Sequence, residues 1–255
     1  MRILVTNDDG IQAPGLKVLR EIAEIIGDEV WVCAPDTNQS GASHSLTLHE
    51  PLRCQEVANR CYAVRGTPTD CVIMGVRHLL RDNPPDLILS GVNRGSNVAD
   101  DVTYSGTIAG AIEGTMLGIK SIALSQTYAS GNREGIQWQV ALELGPDVLR
   151  RILRVQLGDG VFVNVNFPDC LPTDIAGMKI TRQGRRDQNL THMDERFDSW
   201  GTPYYWFGFQ RKRSNPPPDT DLWAIYNNFV SISPLQFDLT HRETIATLAT
   251  AFESE

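Results

Sequence analysis

No run of Lys and Arg longer than a few residues occurs in this 255-residue chain, and 31 acidic side chains outnumber 23 basic ones, for a formal net charge of −8. Binding to duplex nucleic acid rests on clustered cations that neutralise phosphates, so a duplex is not an expected partner. Cysteine is scarce: Cys33, Cys54, Cys61, Cys71 and Cys170 are odd in number, form no CxxC pair and sit mostly among apolar or strand-like neighbours. They read as reduced core thiols of a cytoplasmic protein. No apolar run approaches the roughly 20 residues of a membrane-spanning helix. No basic segment, long apolar run and small-residue cleavage site precede the strand-like start, so neither a membrane span nor a signal peptide is expected. A GxxxxGK[ST] loop is also missing, which excludes a P-loop triphosphatase. The lack of GxGxxG after the first strand argues against a dinucleotide-dependent dehydrogenase.

The chain does have enough apolar residues, 41%, to build a real core. Residues 3–5 (Ile-Leu-Val) form an unalternating apolar run, the pattern of a strand buried on both faces, and the run stops at the turn formers Asn7-Asp8-Asp9-Gly10. Pro14 suits a first helical position, Leu16, Leu19, Ile22, Ala23 and Ile26 recur at helical spacing, and Gly27 supplies a stop. A second buried strand at 29–34 completes a β-α-β unit, which sets the class as α/β with a right-handed crossover. Extended segments are expected around 46–48, 52–57 and 61–64, a helix beginning at Thr67-Pro68, and strands at 87–90, 119–124 and 161–165. Helices are expected at 108–117 and 135–153. Residues 1–167 thus read as a Rossmann-like, doubly wound, mostly parallel sheet. Residues 168–255 read as a C-terminal extension, polar over 182–199, aromatic over 200–209 and interrupted by Pro216-Pro217-Pro218. This extension projects a hairpin and a helix at about 240–252 toward a partner subunit.

An acidic protein that takes a small anion must offset charge locally, by a bound cation or by aimed backbone N–H groups. In an open α/β sheet, ligands bind at the carboxyl ends of the strands. Three loops begin at such ends, and all carry oxygen donors: Asn7-Asp8-Asp9-Gly10, Asn38-Gln39-Ser40-Gly41 and Asn93-Arg94-Gly95-Ser96-Asn97. Adjacent carboxylates repel unless they diverge into solvent or hold a cation, and carboxylate, hydroxyl and amide oxygens suit Mg²⁺ or Mn²⁺ rather than structural zinc. Asp-Asp-Gly is also a good turn in its own right. Ser105-Gly106-Thr107, before a helix, either cradles a phosphate or is a simple N-cap. Asp100-Asp101, just upstream of a helix start, are expected to serve capping and the helix dipole. His44 is either structural or an aid to the phosphate or leaving group. Gly66-Thr67-Pro68-Thr69-Asp70 lines the cleft or caps a helix.

Five blocks carry a resemblance to one family: 2–16 (RILVTNDDGIQAPGL), 34–48 (APDTNQSGASHSLTL), 66–71 (GTPTDC), 90–97 (SGVNRGSN) and 100–107 (DDVTYSGT). In this order they resemble the stationary-phase survival protein SurE family, a group of metal-dependent nucleotidases. The resemblance implies a Rossmann-like core with one divalent cation on residues matching Asp8, Asp9, Ser40 and Asn93. It implies hydrolysis of nucleoside 5′- and 3′-monophosphates, in some members also of short polyphosphate. It further implies a homodimer or homotetramer that exchanges C-terminal elements, an implication that weakens beyond about residue 170.

In this mechanism the cation links those four residues to a phosphate oxygen. Gly41, Asn97 and the Ser105-Gly106-Thr107 turn hold the other oxygens, and Asp8 or Asp9 positions an attacking water. A covalent aspartyl-phosphate route stays open at this point. A non-catalytic nucleotide or phosphate sensor, and an enzyme that is foremost an exopolyphosphatase, are the rival readings.

Overall fold

In the computed structural model of the chain, which describes residues 1–128, 135–186, 191–209 and 214–253, strand β1 (Arg2–Thr6) lies inside a nine-stranded sheet. Its side chains alternate: Ile3 and Val5 join one apolar cluster and Leu4 another. Both faces of the strand are therefore covered, which is why it reads as a continuous apolar run. The remaining strands are β2 (Glu29–Pro35), β3 (Arg53–Ala58), β4 (Cys61–Arg65), β5 (Leu87–Arg94), β6 (Lys120–Gln126), β7 (Val161–Phe167), β8 (Gly177–Ile180), β9 (Thr191–Phe197), β10 (Pro203–Phe209) and β11 (Phe229–Gln236). The sheet order is β3-β4-β2-β1-β5-β6-β7-β11-β8, with β9 and β10 forming a separate antiparallel hairpin. From β4 to β7 every pairing is parallel, while β3–β4 and β7–β11 are antiparallel.

The helices are α1 (Pro14–Ile26), α2 (Pro68–Met74), α3 (Gly106–Met116), α4 (Trp138–Leu153), α5 (Asp221–Tyr226) and α6 (Arg242–Glu253). Pro14 is the first residue of α1, and Gly27 closes it by donating its N–H to the Ala23 carbonyl (2.9 Å). Leu19 and Ile22 of α1, with Val140 and Leu149 of α4, cover the face that presents Ile3, Val5, Leu87, Leu89, Ile122 and Leu124. On the other face, Cys71 and Val72 of α2 pack on Leu4 and Ile88, and Ile108 and Ala111 of α3 on Ala123 and Phe162. The chain winds outward from β1 through β2 to β4, then from β5 through β6 to β7. The switch point lies between β1 and β5, and in such sheets ligands bind there, at the strand carboxyl ends.

One packing device brings a helix onto that switch point. Gly106, Gly110 and Gly114 are spaced by four along α3 and turn the same face to the sheet. A Cβ would meet Asp8 Cβ at 2.7 Å from Gly106, Ser90 Oγ at 2.8 Å from Gly110, and Ser121 Oγ at 2.3 Å from Gly114. The bare helix backbone thus rests directly on the strands, and its N-terminus comes down onto the end of β1.

Several expectations from the sequence need correction. Residues 46–48 form no strand; instead Thr47 donates through its N–H and its hydroxyl to Asp70 (3.2 and 2.6 Å), and the loop is pinned to α2. Strand β5 runs past Ser90 to Arg94 through a register shift between Ser90 and Asn93, a bulge that re-aims the strand end. The helix expected at 135–153 starts at Trp138. Of the cysteines, all free, only Cys33 and Cys71 are core residues; Cys54 is exposed, and Cys61 and Cys170 are half-buried.

Beyond residue 168 the chain divides. β8, α5 and β11 join the main body, with β11 between β7 and β8, while α6 is exposed along its whole length and Trp200, at the hairpin, is 88% exposed. Residues 187–190, inside the polar stretch 182–199, lie outside the described residues. No described helix is long and apolar enough to cross a membrane.

The α3 contact gives a first expected outcome. Gly114→Val, which drives branched carbons toward Ser121 and Ile88, costs about 1–3 kcal/mol through overpacking. Chemical denaturation reads this as a lower midpoint at unchanged slope.

Candidate active site

The turn after β1 is built by its own first residue. Asn7, fully buried, donates its amide to the Gly10 carbonyl (3.0 Å) and accepts from the Gly10 N–H (3.3 Å), an Asx-type closure. Gly10 sits at φ +101°, a conformation that costs glycine no strain. The closed turn presents Asp8 and Asp9 side by side at the switch point.

The two carboxylates have different surroundings. Asp8 is 4% exposed, and its Oδ1 accepts a 2.6 Å hydrogen bond from the Thr107 hydroxyl on the first turn of α3. Burial pushes its pKa up to about 6; the Thr107 bond opposes that shift and the charge of Asp9 adds to it. Asp9 is half-buried and accepts from the Arg94 N–H through Oδ2 (3.0 Å). Burial raises its pKa as well, against that bond and the positive charge of Arg94. Among the described residues no Lys, Arg or His forms an ion pair with either carboxylate.

Two backbone contacts bring the other donor loops to this pair. The Gln39 N–H donates to the Asp8 carbonyl (2.7 Å), which puts Ser40 one residue from the first strand's turn. The Arg94 N–H on Asp9 does the same for Asn93. Asn93 spends its amide nitrogen on the Gly95 carbonyl (2.8 Å), and Ser40 spends its N–H on Asn38 Oδ1 (2.8 Å). The amide oxygen of Asn93 and the hydroxyl of Ser40 are left without a hydrogen-bond partner among the described residues. Among the described residues no three His, Cys, Asp or Glu side chains converge. A cation here would rest on two carboxylates and two neutral oxygens, a hard set that fits Mg²⁺ or Mn²⁺.

The residues expected at the phosphate divide. Gly41 (φ +83°) follows Ser40 with open space around it, and Gly106 lies against Asp8. Thr107 is committed to Asp8. Ser105 is the N-cap of α3, its hydroxyl accepting from the Ile108 N–H (3.1 Å). Asn97 is 7% exposed and bonded away from the carboxylates: its N–H donates to Asn166, its amide to Ser125, and its carbonyl accepts from Asn164. It anchors the loop after β5 to the ends of β6 and β7.

The other residues singled out in the sequence make the following contacts. Asp100 and Asp101 lie in a short 3-10 turn, Ala99–Tyr104, and bind Arg186: Asp100 takes its N–H (2.7 Å) and Asp101 its guanidinium, with Nε at 3.0 Å. Thr67 and Asp70 form a reciprocal capping box at α2. His44 meets Glu113 of α3 at 2.9 Å. Sequence reasoning missed Arg94 as the donor to Asp9, and it missed Glu113. The first sits in plain view between Asn93 and Gly95; the second has no local signal, because its partner lies 69 residues away.

The chain as a whole is similar to known proteins. The family model described as Survival protein SurE matches residues 3–190. A protein of Methylobacterium nodulans named 5′-nucleotidase SurE is 56% identical over 99% of this chain and 100% of its own length. One of the same name from Parvibaculum lavamentivorans is 54% identical over 97% and 90%. The crystal structure of the SurE protein from Aquifex aeolicus superposes with a TM-score of 0.86 at 38% identity, covering 98% of this chain and 99% of that one. The chain belongs to the SurE survival protein family.

Proposed function

We propose that this chain is a phosphomonoesterase that hydrolyses nucleoside 5′-monophosphates, and 3′-monophosphates as well, with Mg²⁺ or Mn²⁺ held by Asp8, Asp9, Ser40 and Asn93. One observation carries the reading. A carboxylate pair with one member almost fully buried stands at the switch point of the sheet without an ion-pair partner among the described residues. Above the raised pKa of Asp8 such charge is unfavourable by burial and by repulsion, and a bound cation compensates it. The name 5′-nucleotidase, borne by full-length relatives, supports the choice of substrate.

When bound, the ion would supply positive charge at the phosphoryl oxygens. The chain's own residues do the rest. Thr107 fixes the orientation of Asp8 by donating to Oδ1. Ser105 caps the Ile108 N–H, while the N–H groups of Gly106 and Thr107, for which no helical carbonyl is available, would suit a phosphate. Gly41 lets the phosphate approach the loop backbone closely, and Asp9 orients the attacking water. Asn97 acts by holding its loop rigid. The exposed hairpin and α6, with Trp206, Phe207, Ile245, Leu248 and Phe252 in solvent, support a homo-oligomer built through residues beyond 168, and five unpaired cysteines support a cytoplasmic setting.

Phosphate release from a panel of nucleoside monophosphates and short polyphosphate, with Mg²⁺, Mn²⁺ or chelator, tests the activity. Chelation, Asp8→Asn and Asp9→Asn should each lower release at least about 100-fold with the far-ultraviolet spectrum intact; ligand binding without release under any metal would sink the proposal.

A second outcome follows from burial. Burial raises the folded-state pKa of Asp8 from the ordinary 3.8 to about 6, so the native state binds the extra proton, and this stability is present below pH 4 and lost as pH rises through about 6. Metal-free protein should therefore lose on the order of 3 kcal/mol from this group between pH 4 and pH 7.5. Asp8→Asn, which keeps the Thr107 bond, should remove that loss; denaturation in chelator at both pH values checks it.

For the assembly, light scattering on the purified chain should give a mass of two or four subunits. Joint replacement of Ile245, Leu248 and Phe252 by Ser should shift it toward monomer.

A further inference from the structure

The loop that carries Ser40 has no regular secondary structure, yet it is fastened at points well beyond Ser40. Ser43 Oγ donates to the Thr103 carbonyl (2.9 Å), and the next residue, His44, places Nε2 at 2.9 Å from Oε2 of Glu113. Glu113 lies on α3 about two turns from Gly106 and is only 9% exposed. A carboxylate so placed needs a hydrogen-bonding partner, and His44 supplies it from the loop. Between the turn and this contact, Ser43 holds φ +54°, a left-handed conformation that a non-glycine residue keeps only when its surroundings over-determine it. The Thr103 and Glu113 contacts provide that.

We infer that the His44–Glu113 contact is a clasp that positions the Ser40–Gly41 turn over Asp8 and Asp9. The inference rests on the proposal above that Ser40 is a ligand. Ser40 is itself exposed, and its nearest fastenings are the Asn38 side chain and the Gln39 N–H on Asp8. On its far side the clasp is what ties the turn to α3, the same helix whose Thr107 orients Asp8. One rigid element therefore sets both a carboxylate and the opposing hydroxyl. His44 is thus a positioning residue and does not itself touch the phosphate.

The test is Mn²⁺ binding by calorimetry on the full chain, alongside phosphate release as a function of Mn²⁺. His44→Ala and Glu113→Ala should each weaken Mn²⁺ binding at least about tenfold, as loss of a ligand's supporting partner does, and raise the metal concentration for half-activity in step. Turnover at saturating metal should change far less. The double variant should be no worse than either single one, since both remove one contact. His44→Gln, which can place an amide nitrogen near the Nε2 position, should recover most of the affinity. Unchanged Mn²⁺ binding in the single variants, or effects that multiply in the double, would overturn the clasp. Should the wild type bind no Mn²⁺ at all, the metal-site proposal falls and the clasp with it, whereas wild-type binding with unaffected variants removes the clasp alone.

Discussion

Two carboxylates on consecutive residues, one of them almost out of reach of water, form the constraint around which this fold is arranged. Charge in that position is unfavourable by desolvation and by mutual repulsion. The polypeptide reduces the cost only in part. Thr107 gives Asp8 one hydroxyl, and Arg94 gives Asp9 one N–H. Fuller satisfaction, with an arginine forked onto each carboxylate, would stabilise the apo fold and close the site to any ligand. Asp101 shows that alternative in the same molecule: the Arg186 guanidinium binds its carboxylate.

From that constraint the neighbouring elements acquire their geometry. Asp8 can be contacted by α3 only because Gly106 lacks a side chain, and α3 lies low enough only because Gly110 and Gly114 lack theirs. The end of β5 must bend toward the turn after β1 to place the Arg94 N–H on Asp9. It does so through the bulge in β5 and is then tied by Asn97 to Asn164, Asn166 and Ser125. These buried amides form a connected polar network in which the partners are themselves bonded, the condition under which such networks rigidify a structure.

Much of this was legible in the sequence, for local reasons. The β-α-β start follows from an apolar run, a turn, a proline and a helical period. The three donor loops follow from small polar residues at strand ends, and the capping box from Thr67 and Asp70. What stayed hidden depends on distance along the chain. Ser105 and Thr107 announce hydroxyls near a helix start, but only tertiary packing decides that one caps and the other meets a carboxylate 99 residues away. Asn97 stands in a site-like motif, yet its partners come from β6 and β7. Phe229–Gln236 carries no mark that it lies beside β7 rather than in a separate extension, because pairing partners are not written in local periodicity.

That last pairing gives the molecule a schedule. Strand β8 is synthesised before β11, yet among the described residues β11 is its only sheet neighbour, and β11 emerges from the ribosome roughly 3–11 s later at about 5–20 residues per second. Until then β7 has one bare edge, and β8 has none of its ladder. An unpaired edge is a template for the wrong partner, so the nascent chain passes through an interval in which its donor loops can already be assembled while its sheet is still open.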